Sequence, residues 1–250
     1  MRQNERLILM EYVLDTHTHT IASGHAYNSI SEMMAAAADK GLSLVAITDH
    51  APDMPGSTYK GYFDNARMID RDYYYKKYGE KTKLLFGVEL NILKGGKVDL
   101  GKQTLKSLDI NIASMHPPCI EPGTLEENTH DYIEVLKNPY VNIIGHPDDG
   151  RYPINRKELV LAAKKYGKLL ELNNHSLSPE SSRPNALEND IEMLKLCKEY
   201  NQPIVVGSDA HFESLVGNHS EAYDLLESLD FPEKLVINTS VERLMAYLRK

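Results

Sequence analysis

Short apolar runs alternate along the chain with longer segments whose apolar side chains recur at helical spacing. Two of the short runs, Leu44–Ile47 and Ile204–Val206, are wholly apolar, as is typical of parallel strands covered on both faces. The pattern predicts seven strands, at Tyr12–Asp15, Leu44–Thr48, Leu84–Glu89, Asp109–Ser114, Val141–Gly145, Leu169–Leu172 and Ile204–Gly207.

Helical periodicity fills the gaps between these strands. Ser29, with Glu32 three residues later, forms a capping-box pattern, and Gly41 supplies a helix stop. The predicted helices are Met33–Lys40, Thr129–Lys137, Asn155–Tyr166, Ala186–Tyr200, His219–Ser228 and Ser240–Leu248. Strands that alternate with helices predict a parallel α/β fold with right-handed crossovers. Seven strands with candidate site residues on most of them favour a barrel over an open sheet.

A single domain over residues 1–250 is the simplest interpretation, because the chain shows no linker, repeat or low-complexity tract. Residues 1–10 are interpreted as a loose N-terminal extension or a start-site artefact. The longest irregular stretch, Ala51–Tyr62, carries two prolines and two glycines and is typical of a lid or a substrate wall. The segment Asp64–Tyr78, rich in tyrosine and charge, matches no known role.

The net charge and the cysteine content limit which cellular compartment and which classes of partner fit this protein. A net charge of −8 argues against a general affinity for nucleic acid or anionic membranes. Cys119 and Cys197 are far apart, lack metal or redox spacing, and fit a reducing compartment. No apolar run approaches the roughly 20 residues of a membrane span. We expect a cytoplasmic protein with neither a nucleic-acid nor a membrane partner.

Nine metal-type side chains fall where predicted strands run out into loops. His17 and His19 are two apart, so in an extended segment both rings face one side. Six of the seven strand ends carry such a residue, and these ends meet at one face of a parallel barrel. Imidazole and carboxylate groups are ligands for zinc, manganese and iron. The predicted metal ligands include seven of the ten histidines and are His17, His19, His25, His50, Glu89, His116, His146, Asp209 and His211.

Other polar residues near these ends are candidates for substrate contact. Arg183, in the loop after the sixth strand, and Arg151 could each grip a phosphate oxygen, although each could equally be a surface charge. His175 faces the same end and could contact substrate or make a loop hydrogen bond. His130 and His219 are interpreted as solvated, and Asp49 as a group that orients His50.

Six features, in their order along the chain, resemble the polymerase and histidinol phosphatase (PHP) domain. They are Asp-Thr-His-Thr-His, Thr-Asp-His, the glutamate of the third strand, Ser-Met-His, Gly-His-Pro and Ser-Asp-Ala-His. The likeness covers nearly the whole chain from Tyr12 and is nearest to the YcdX-like phosphatases. It implies a distorted (β/α)7 barrel with three divalent metal ions, most often zinc and sometimes manganese or iron. It also implies a homotrimer. His175 and the segment Asp64–Tyr78 depart from the family pattern.

The resemblance also implies how the ligands are divided. By the family pattern, one ion takes His17, His19, Glu89 and Asp209. A second takes Glu89, His116 and His146, so that Glu89 bridges two ions. A third takes His25, His50 and His211.

The chemistry expected of such a centre is phosphoester hydrolysis. Three divalent ions carry more positive charge than Glu89 and Asp209 neutralise, which suits a small phosphate monoester. We expect a metal-activated water or hydroxide to attack phosphorus, with Glu89 and Asp209 acting through the metals. No residue is assigned as the general acid. The alternatives are a phosphodiesterase or nuclease of the PHP type and a metal-binding module without catalysis.

Overall fold

The structure, a computed structural model, describes residues 11–248, so the predicted extension at 1–10 lies outside the described residues. Its strands are β1 Leu14–Thr18, β2 Leu44–Ile47, β3 Lys83–Phe86, β4 Val88–Leu93, β5 Lys97–Val98, β6 Asn111–Ser114, β7 Ile143–Ile144, β8 Leu169–Asn173 and β9 Ile204–Gly207. Its helices are α1 Ile30–Asp39, α2 Lys60–Asp64, α3 Arg71–Lys77, α4 Lys102–Ser107, α5 Leu125–Leu136, α6 Arg156–Tyr166, α7 Ala186–Tyr200, α8 Ser220–Ser228 and α9 Val241–Leu248.

Over the described residues the strands form two sheets. The first has the order β1-β2-β3 and the second has the order β5-β4-β6-β7-β8-β9. Every pairing is parallel except that of β4 with β5, which is antiparallel. The predicted α/β class with parallel strands is therefore confirmed.

The prediction of one strand at Leu84–Glu89 is wrong, because the chain changes partner at Gly87. The Gly87 N–H donates to the Ile47 carbonyl at 2.8 Å, whereas the next N–H, of Val88, donates to the Ile110 carbonyl at 3.2 Å. A Cβ at Gly87 would lie 2.0 Å from the Ile110 oxygen, so only glycine lets the chain cross here. The result is two strands, β3 beside β2 and β4 beside β6.

Isolated bridges join the two sheets, and no ladder within residues 11–248 closes them into one. Thr18 pairs with Ala210 at one gap, and His50 pairs with Glu89 at the other. Both bridges lie at the carboxyl ends of the strands, and each includes or adjoins a predicted metal ligand. The sheets thus come closest together where the candidate site is built.

An apolar cluster fills the opposite, amino-terminal end of the strands. It takes side chains from seven strands and from α9, among them Leu14, Leu44, Ile143, Leu169 and Leu244. A larger cluster packs the other helices against the outer faces of the strands. Polar groups at the carboxyl ends of the strands therefore lie next to an apolar core, as expected where apolar burial drives the packing.

Capping boxes mark the starts of two helices, of which the sequence analysis recognised one. The capping box of Ser29 and Glu32 is present at the start of α1. The helix predicted at Thr129–Lys137 instead begins at Leu125, because Thr124 and Glu127 form a second capping box that the prediction overlooked. The predictions also missed α2, α3 and α4, whose short lengths give little periodicity to detect.

The segment Asp64–Tyr78 has a structural role. It contains α3, and the Arg71 side chain donates from Nε to Asp109 Oδ2 at 2.8 Å. The Tyr78 hydroxyl donates to the Ser31 carbonyl at 3.2 Å, and the Tyr74 hydroxyl lies 2.9 Å from Ser31 Oγ. These contacts hold the segment against α1 and the start of β6.

Two further sequence expectations concern cysteine and membranes. Cys119 is partly buried, Cys197 is buried in α7, and both are free thiols in the described part of the chain. From residue 11 to residue 248, no helix has the length and apolarity that a bilayer crossing requires.

Candidate metal centre

All nine predicted ligands converge at the carboxyl ends of the strands. Their imidazole rings form a continuous chain of contacts, with centroids 5.1 Å apart for His17 and His19 and 4.3 Å apart for His19 and His50. The chain continues from His50 to His116 at 5.0 Å and on to His146 at 5.1 Å. Residues that are far apart in sequence thus form one cluster, as the parallel topology predicts.

The Glu89 carboxylate lies at the middle of the cluster and is fully buried. Its Oε1 is 2.9 Å from His146 Nε2 and 3.2 Å from His116 Nε2. Its Oε2 is 2.7 Å from His50 Nδ1 and 3.6 Å from His19 Nε2. The two oxygens therefore face different groups of histidines, which is the placement that a bridging carboxylate needs.

Asp209 approaches the cluster from the other side. Its Oδ1 is 3.2 Å from His19 Nε2 and 3.7 Å from His17 Nε2, and its Oδ2 accepts from Arg183 Nη2 at 3.0 Å. Asp209 and His146 have φ angles of +55° and +27°, values that non-glycine residues seldom adopt. Such backbone strain concentrates at functional sites, where the surrounding structure maintains it.

The outer nitrogens of three rings are held by hydrogen bonds. Nδ1 lies 2.7 Å from Glu171 Oε1 in His17, 3.0 Å from Ser23 Oγ in His19, and 2.7 Å from Asn91 Oδ1 in His116. Ser23 donates its own hydroxyl proton to Asp49, so its oxygen accepts from His19. With Nδ1 acting as a donor, Nε2 is left to face the centre of the cluster, as in metal-binding histidines.

The inner nitrogens are the evidence that the site fits a metal. Among the described residues, His17 Nε2, His19 Nε2 and His50 Nδ1 are buried and make no hydrogen bond, since even the 2.7 Å contact of His50 Nδ1 with Glu89 Oε2 lacks hydrogen-bond geometry. Lone pairs of neutral rings would face the carboxylate oxygens of Glu89 and Asp209, which is repulsive unless a cation lies between them. Three overlapping groups have ligand atoms within 4.8 Å of one another: His17, His19 and Glu89; His50, Glu89 and His116; and His19, His50 and His211.

The electrostatics of the cluster favour a positive charge at its centre. Burial alone would raise the pKa of Glu89, but the rings of His116, His17 and His50 outweigh it and lower that pKa well below the usual value. Burial likewise opposes ionisation of Asp209, yet His17, His19 and Arg183 lower its pKa well below the usual value. Both carboxylates are therefore ionised, the state in which they bind metals.

His25, in the loop after β1, completes one edge of the cluster. Its ring stacks on His50 with centroids 4.9 Å apart and on His211 with centroids 4.8 Å apart. Burial and the two neighbouring rings lower the pKa of His25 to about 4. Its ring is therefore neutral at physiological pH and has a lone pair to offer.

Glu171 is a buried carboxylate beside the candidate ligands, and the sequence analysis missed it. It is fully buried on β8, where Oε1 contacts His17 and Oε2 accepts from the His146 N–H at 2.9 Å. A charged residue inside the apolar run Leu169–Leu172 was the available signal. The charge balance drawn from the sequence counted only Glu89 and Asp209, so this third carboxylate makes the centre less cationic than expected.

Asp49 contacts a different group from the one predicted. Its carboxylate accepts from the Thr20 N–H at 2.6 Å, from Ser23 Oγ at 2.7 Å and from the Tyr62 hydroxyl at 2.8 Å. The His50 N–H in turn donates to Ser23 Oγ at 3.1 Å. Asp49 therefore acts on His50, and on His19, through Ser23.

A cavity of about 660 Å³ opens above the cluster, and the three predicted substrate contacts line it. Arg183 is held by Asp209 and donates from Nη1 to Ser176 Oγ at 2.9 Å. Arg151 forms a two-pronged ion pair with Asp149, with Nη2 2.6 Å from Oδ2. His175 is half-buried at the same wall. Neither arginine is merely a surface charge.

The other two histidines lie outside the cluster. His130 is exposed on α5, as expected. The prediction that His219 is solvated is wrong, because its side chain is buried, with Nε2 3.7 Å from Asp15 Oδ1 and its ring against Tyr12. Asp15, two residues before His17, also accepts from the Ser208 N–H and hydroxyl and thus ties β1 to the end of β9.

Two solved structures have a similar fold. A histidinol phosphate phosphatase from Lactococcus lactis, complexed with zinc, L-histidinol and phosphate, aligns with a TM-score of 0.60 at 20% identity, over 88% of this chain and 95% of that chain. A putative histidinol phosphatase from Listeria monocytogenes aligns with a TM-score of 0.59 at 17% identity, over 84% of this chain and 99% of that chain. At these identities the likeness supports the fold.

Curated relatives are much closer in sequence. A probable phosphatase from Clostridium novyi (strain NT) is 43% identical over 241 residues, covering 96% of both chains. A probable phosphatase from Acetivibrio thermocellus is 45% identical over 242 residues, covering 96% of this chain and 97% of the relative. The model of the PHP domain matches residues 15–231, which hold all nine predicted ligands. The chain therefore belongs to the PHP domain family.

Proposed function

We propose that this protein is a metal-dependent phosphatase that hydrolyses small phosphate monoesters. The observation that carries the proposal is the set of buried imidazole nitrogens that lack hydrogen-bond partners among the described residues and face Glu89 and Asp209 beneath an open cavity. Relatives that align over nearly their whole length are named probable phosphatases. A site of this kind combines cation binding with room for a substrate.

For the metal content we propose three divalent ions, with zinc the first choice. The overlapping ligand groups support more than one ion, since His19, His50 and Glu89 each belong to two of them. We assign His17, His19, Glu89 and Asp209 to one ion, and Glu89, His116 and His146 to the second. The third takes His25, His50 and His211. Zinc is favoured because the Lactococcus lactis structure contains it.

The residues around the ions have separate tasks in this proposal. Bound divalent ions lower the pKa of a water molecule and polarise a phosphoryl group. Glu89 and Asp209 act through the metals, and Glu171, Ser23 and Asn91 keep the ligand rings oriented. Arg183 and Arg151, with His175, line the wall where phosphoryl oxygens and the ester oxygen would lie. A guanidinium group there stabilises the charge that develops on those oxygens.

We further infer a distorted (β/α)7 barrel and a cytoplasmic homotrimer. The bridges at both gaps between the sheets and the apolar cluster drawn from seven strands support the barrel. The negative net charge and the free thiols fit the cytoplasm. The trimer rests on the family resemblance alone, and sedimentation of the purified protein tests it.

Elemental analysis followed by a phosphoester screen tests the function. We expect about three zinc, manganese or iron ions per chain and turnover of phosphate monoesters with the metal found. Glu89→Gln should lose metal and at least about 100-fold in kcat/KM, because the amide carries no charge and offers one oxygen where the carboxylate would offer two. Glu199→Gln, an exposed carboxylate on α7, is the matched control and should behave as the native protein does.

Three results would change the assignment. Turnover of a dinucleotide diester without turnover of monoesters would make the protein a phosphodiesterase. Full metal loading without activity on any phosphoester would make it a metal-binding module. Hydrolysis in oxygen-18 water should place one label in phosphate in a single turnover, and unlabelled phosphate would rule out direct attack by water.

A further inference from the structure

We propose that the leaving group of the substrate is uncharged and largely apolar, because the cavity has an apolar wall and each charged residue lining it already has a partner of opposite charge. The inference rests on the proposed phosphatase function and specifies which monoesters the site takes. The phosphoryl group would lie at the floor, over Asp209 and His211 and beside the arginines, and the leaving group would extend from there toward the mouth.

Three loops build the apolar wall. Met54 and Pro55 follow β2, Pro117 follows β6, and Leu215 follows β9. Leu215 keeps 39% of its surface exposed, although large apolar side chains are favoured inside. An organic group that covers it gains about 25 cal/mol for each Å² removed from water. The wall therefore favours an apolar occupant.

The cavity is much larger than a phosphoryl group requires. Its volume of about 660 Å³ falls within the roughly 300–1,000 Å³ typical of sites for whole organic ligands. The candidate metal ligands occupy only its floor. The rest of the lining consists of the apolar wall together with Arg151, Arg183 and His175, so an organic group bound above the floor would lie against the apolar wall.

Among the described residues that line the cavity, the two arginines offer a charged leaving group no cation that is free of a carboxylate partner. Arg151 donates to both carboxylate oxygens of Asp149, and Arg183 donates to Asp209. A second anionic group on the substrate would compete with these carboxylates, and a cationic group would approach two guanidinium groups. A group of either sign would lose its hydration without gaining a counter-ion of its own.

Leu215 is the side chain on which this preference can be tested. It ends a short 3₁₀ helix, Glu213–Leu215, and is not among the predicted metal ligands. Leu161 on α6 is a matched control, since it is also leucine and is 40% exposed, but it does not line the cavity. A lysine at position 215 would place a cation on the apolar wall, whereas a lysine at position 161 would point into solvent.

Binding and turnover are measured separately on the zinc-loaded protein. Calorimetry compares phenylphosphonate with 4-carboxyphenylphosphonate, and kinetics compare the corresponding phosphate esters. We expect the phenyl compound to be favoured about tenfold or more in both measurements, or about 1.4 kcal/mol. Leu215→Lys should shift both ratios toward the carboxylated compound by roughly threefold, the scale of a partly exposed ion pair. Leu161→Lys should leave both ratios at the native value.

The possible outcomes distinguish failure of this inference from failure of the proposed phosphatase function. Equal or tighter binding of the carboxylated phosphonate, or ratios that Leu215→Lys does not move, would overturn the inference. Binding of both phosphonates without turnover of either ester would count against the phosphatase function. The ratio of the two binding affinities would still test the preference for an uncharged leaving group. Absence of binding of both phosphonates would overturn the two together.

Discussion

Single carboxylates outside the predicted ligand set determine how the ligand rings are presented. Glu171 contacts His17 through one oxygen and the His146 backbone through the other. Burial lowers the pKa of His17, but Glu171, Glu89 and Asp209 outweigh it and raise that pKa well above the usual value. The surroundings of the ring thus stabilise a positive charge at its inner nitrogen, which a divalent ion can supply in place of a proton.

Replacing Glu171 with glutamine should weaken metal binding without unfolding the protein. The amide keeps one acceptor, so it cannot accept from both His17 and the His146 N–H, and its charge is lost. We expect metal affinity to fall about 10–100-fold, as is typical for partners of ligand histidines. Competition with a chromophoric chelator measures the affinity, and circular dichroism monitors the fold. If Glu171→Gln binds metal as tightly as Glu199→Gln does, Glu171 does not support the site.

Among the secondary-structure elements, the carboxyl ends of the strands deliver the ligands, and two glycines permit the close packing there. At Gly87 the chain changes from one sheet to the other. At Gly207, the last residue of β9, a Cβ would lie 2.1 Å from Glu171 Oε1 and 2.8 Å from His17 Cβ. The change of sheet at Gly87 and the close approach of Glu171 and His17 at Gly207 therefore both require glycine, which has no side chain.

Gly87→Ala should destabilise the whole fold. The added methyl group would meet the Ile110 carbonyl oxygen, which belongs to backbone and cannot turn aside. Overpacking of this kind costs about 1–3 kcal/mol in the free energy of unfolding. Urea denaturation measures the cost. Gly101→Ala is the control, because a Cβ there meets nothing within 4 Å, and a loss as large as that of Gly87→Ala would refute the steric explanation.

Helix α7 carries a buried acid that should make stability depend on pH. Asp190 is fully buried, and neither of its oxygens accepts a hydrogen bond from the described residues. Burial, with Asp148 and Glu171 nearby, raises its pKa well above the usual value. In the native state Asp190 therefore keeps a proton that it releases above about pH 4 in the unfolded chain. The free energy of unfolding consequently falls as the pH rises.

Asp190→Asn should remove this dependence. Its gain in the free energy of unfolding over the native protein should grow between about pH 5 and pH 7, by up to about 1.4 kcal/mol per pH unit. Urea denaturation at several pH values, with metal present throughout, measures the difference. Asp224→Asn, an exposed acid on α8, should show no such trend. A gain that stays constant with pH would mean that Asp190 is ionised in the native state.

Over the whole molecule, the dry end and the charged end of the strands are segregated. Apolar side chains fill the amino-terminal end, whereas the carboxyl-terminal end gathers the buried acids Glu89, Glu171 and Asp209. Buried carboxylates repel one another and have lost their hydration, so they destabilise the fold unless cations compensate them. The stability of this protein should consequently depend on bound metal.

Chelation should lower the free energy of unfolding by about 3 kcal/mol or more, the linkage expected when metal is present at about 100 times its dissociation constant. Thermal denaturation before and after treatment with a chelator measures the loss. Adding zinc back should restore the transition, whereas magnesium should not, because it prefers oxygen ligands to imidazole. An unchanged melting temperature after complete metal removal would contradict this account.

The sequence by itself determined the ligand types and the end of the strands at which they lie. Apolar runs specify buried parallel strands, and such strands necessarily bring their carboxyl ends to one face. A histidine or acid at the end of six of the seven runs was therefore sufficient to predict most of the cluster, from His17 to His211. The capping box at Ser29 was predictable for the same reason, since it depends on residues only three apart.

Tertiary structure alone decided what holds those ligands. His17 and Glu171 are 154 residues apart, and His219 is buried against Asp15 from the other end of the chain. The partner change at Gly87 depends on where Ile110 lies, which no local pattern contains. Periodicity reports the environment of a segment, whereas these contacts arise from the packing of distant segments, and that packing exists only once the strands have assembled.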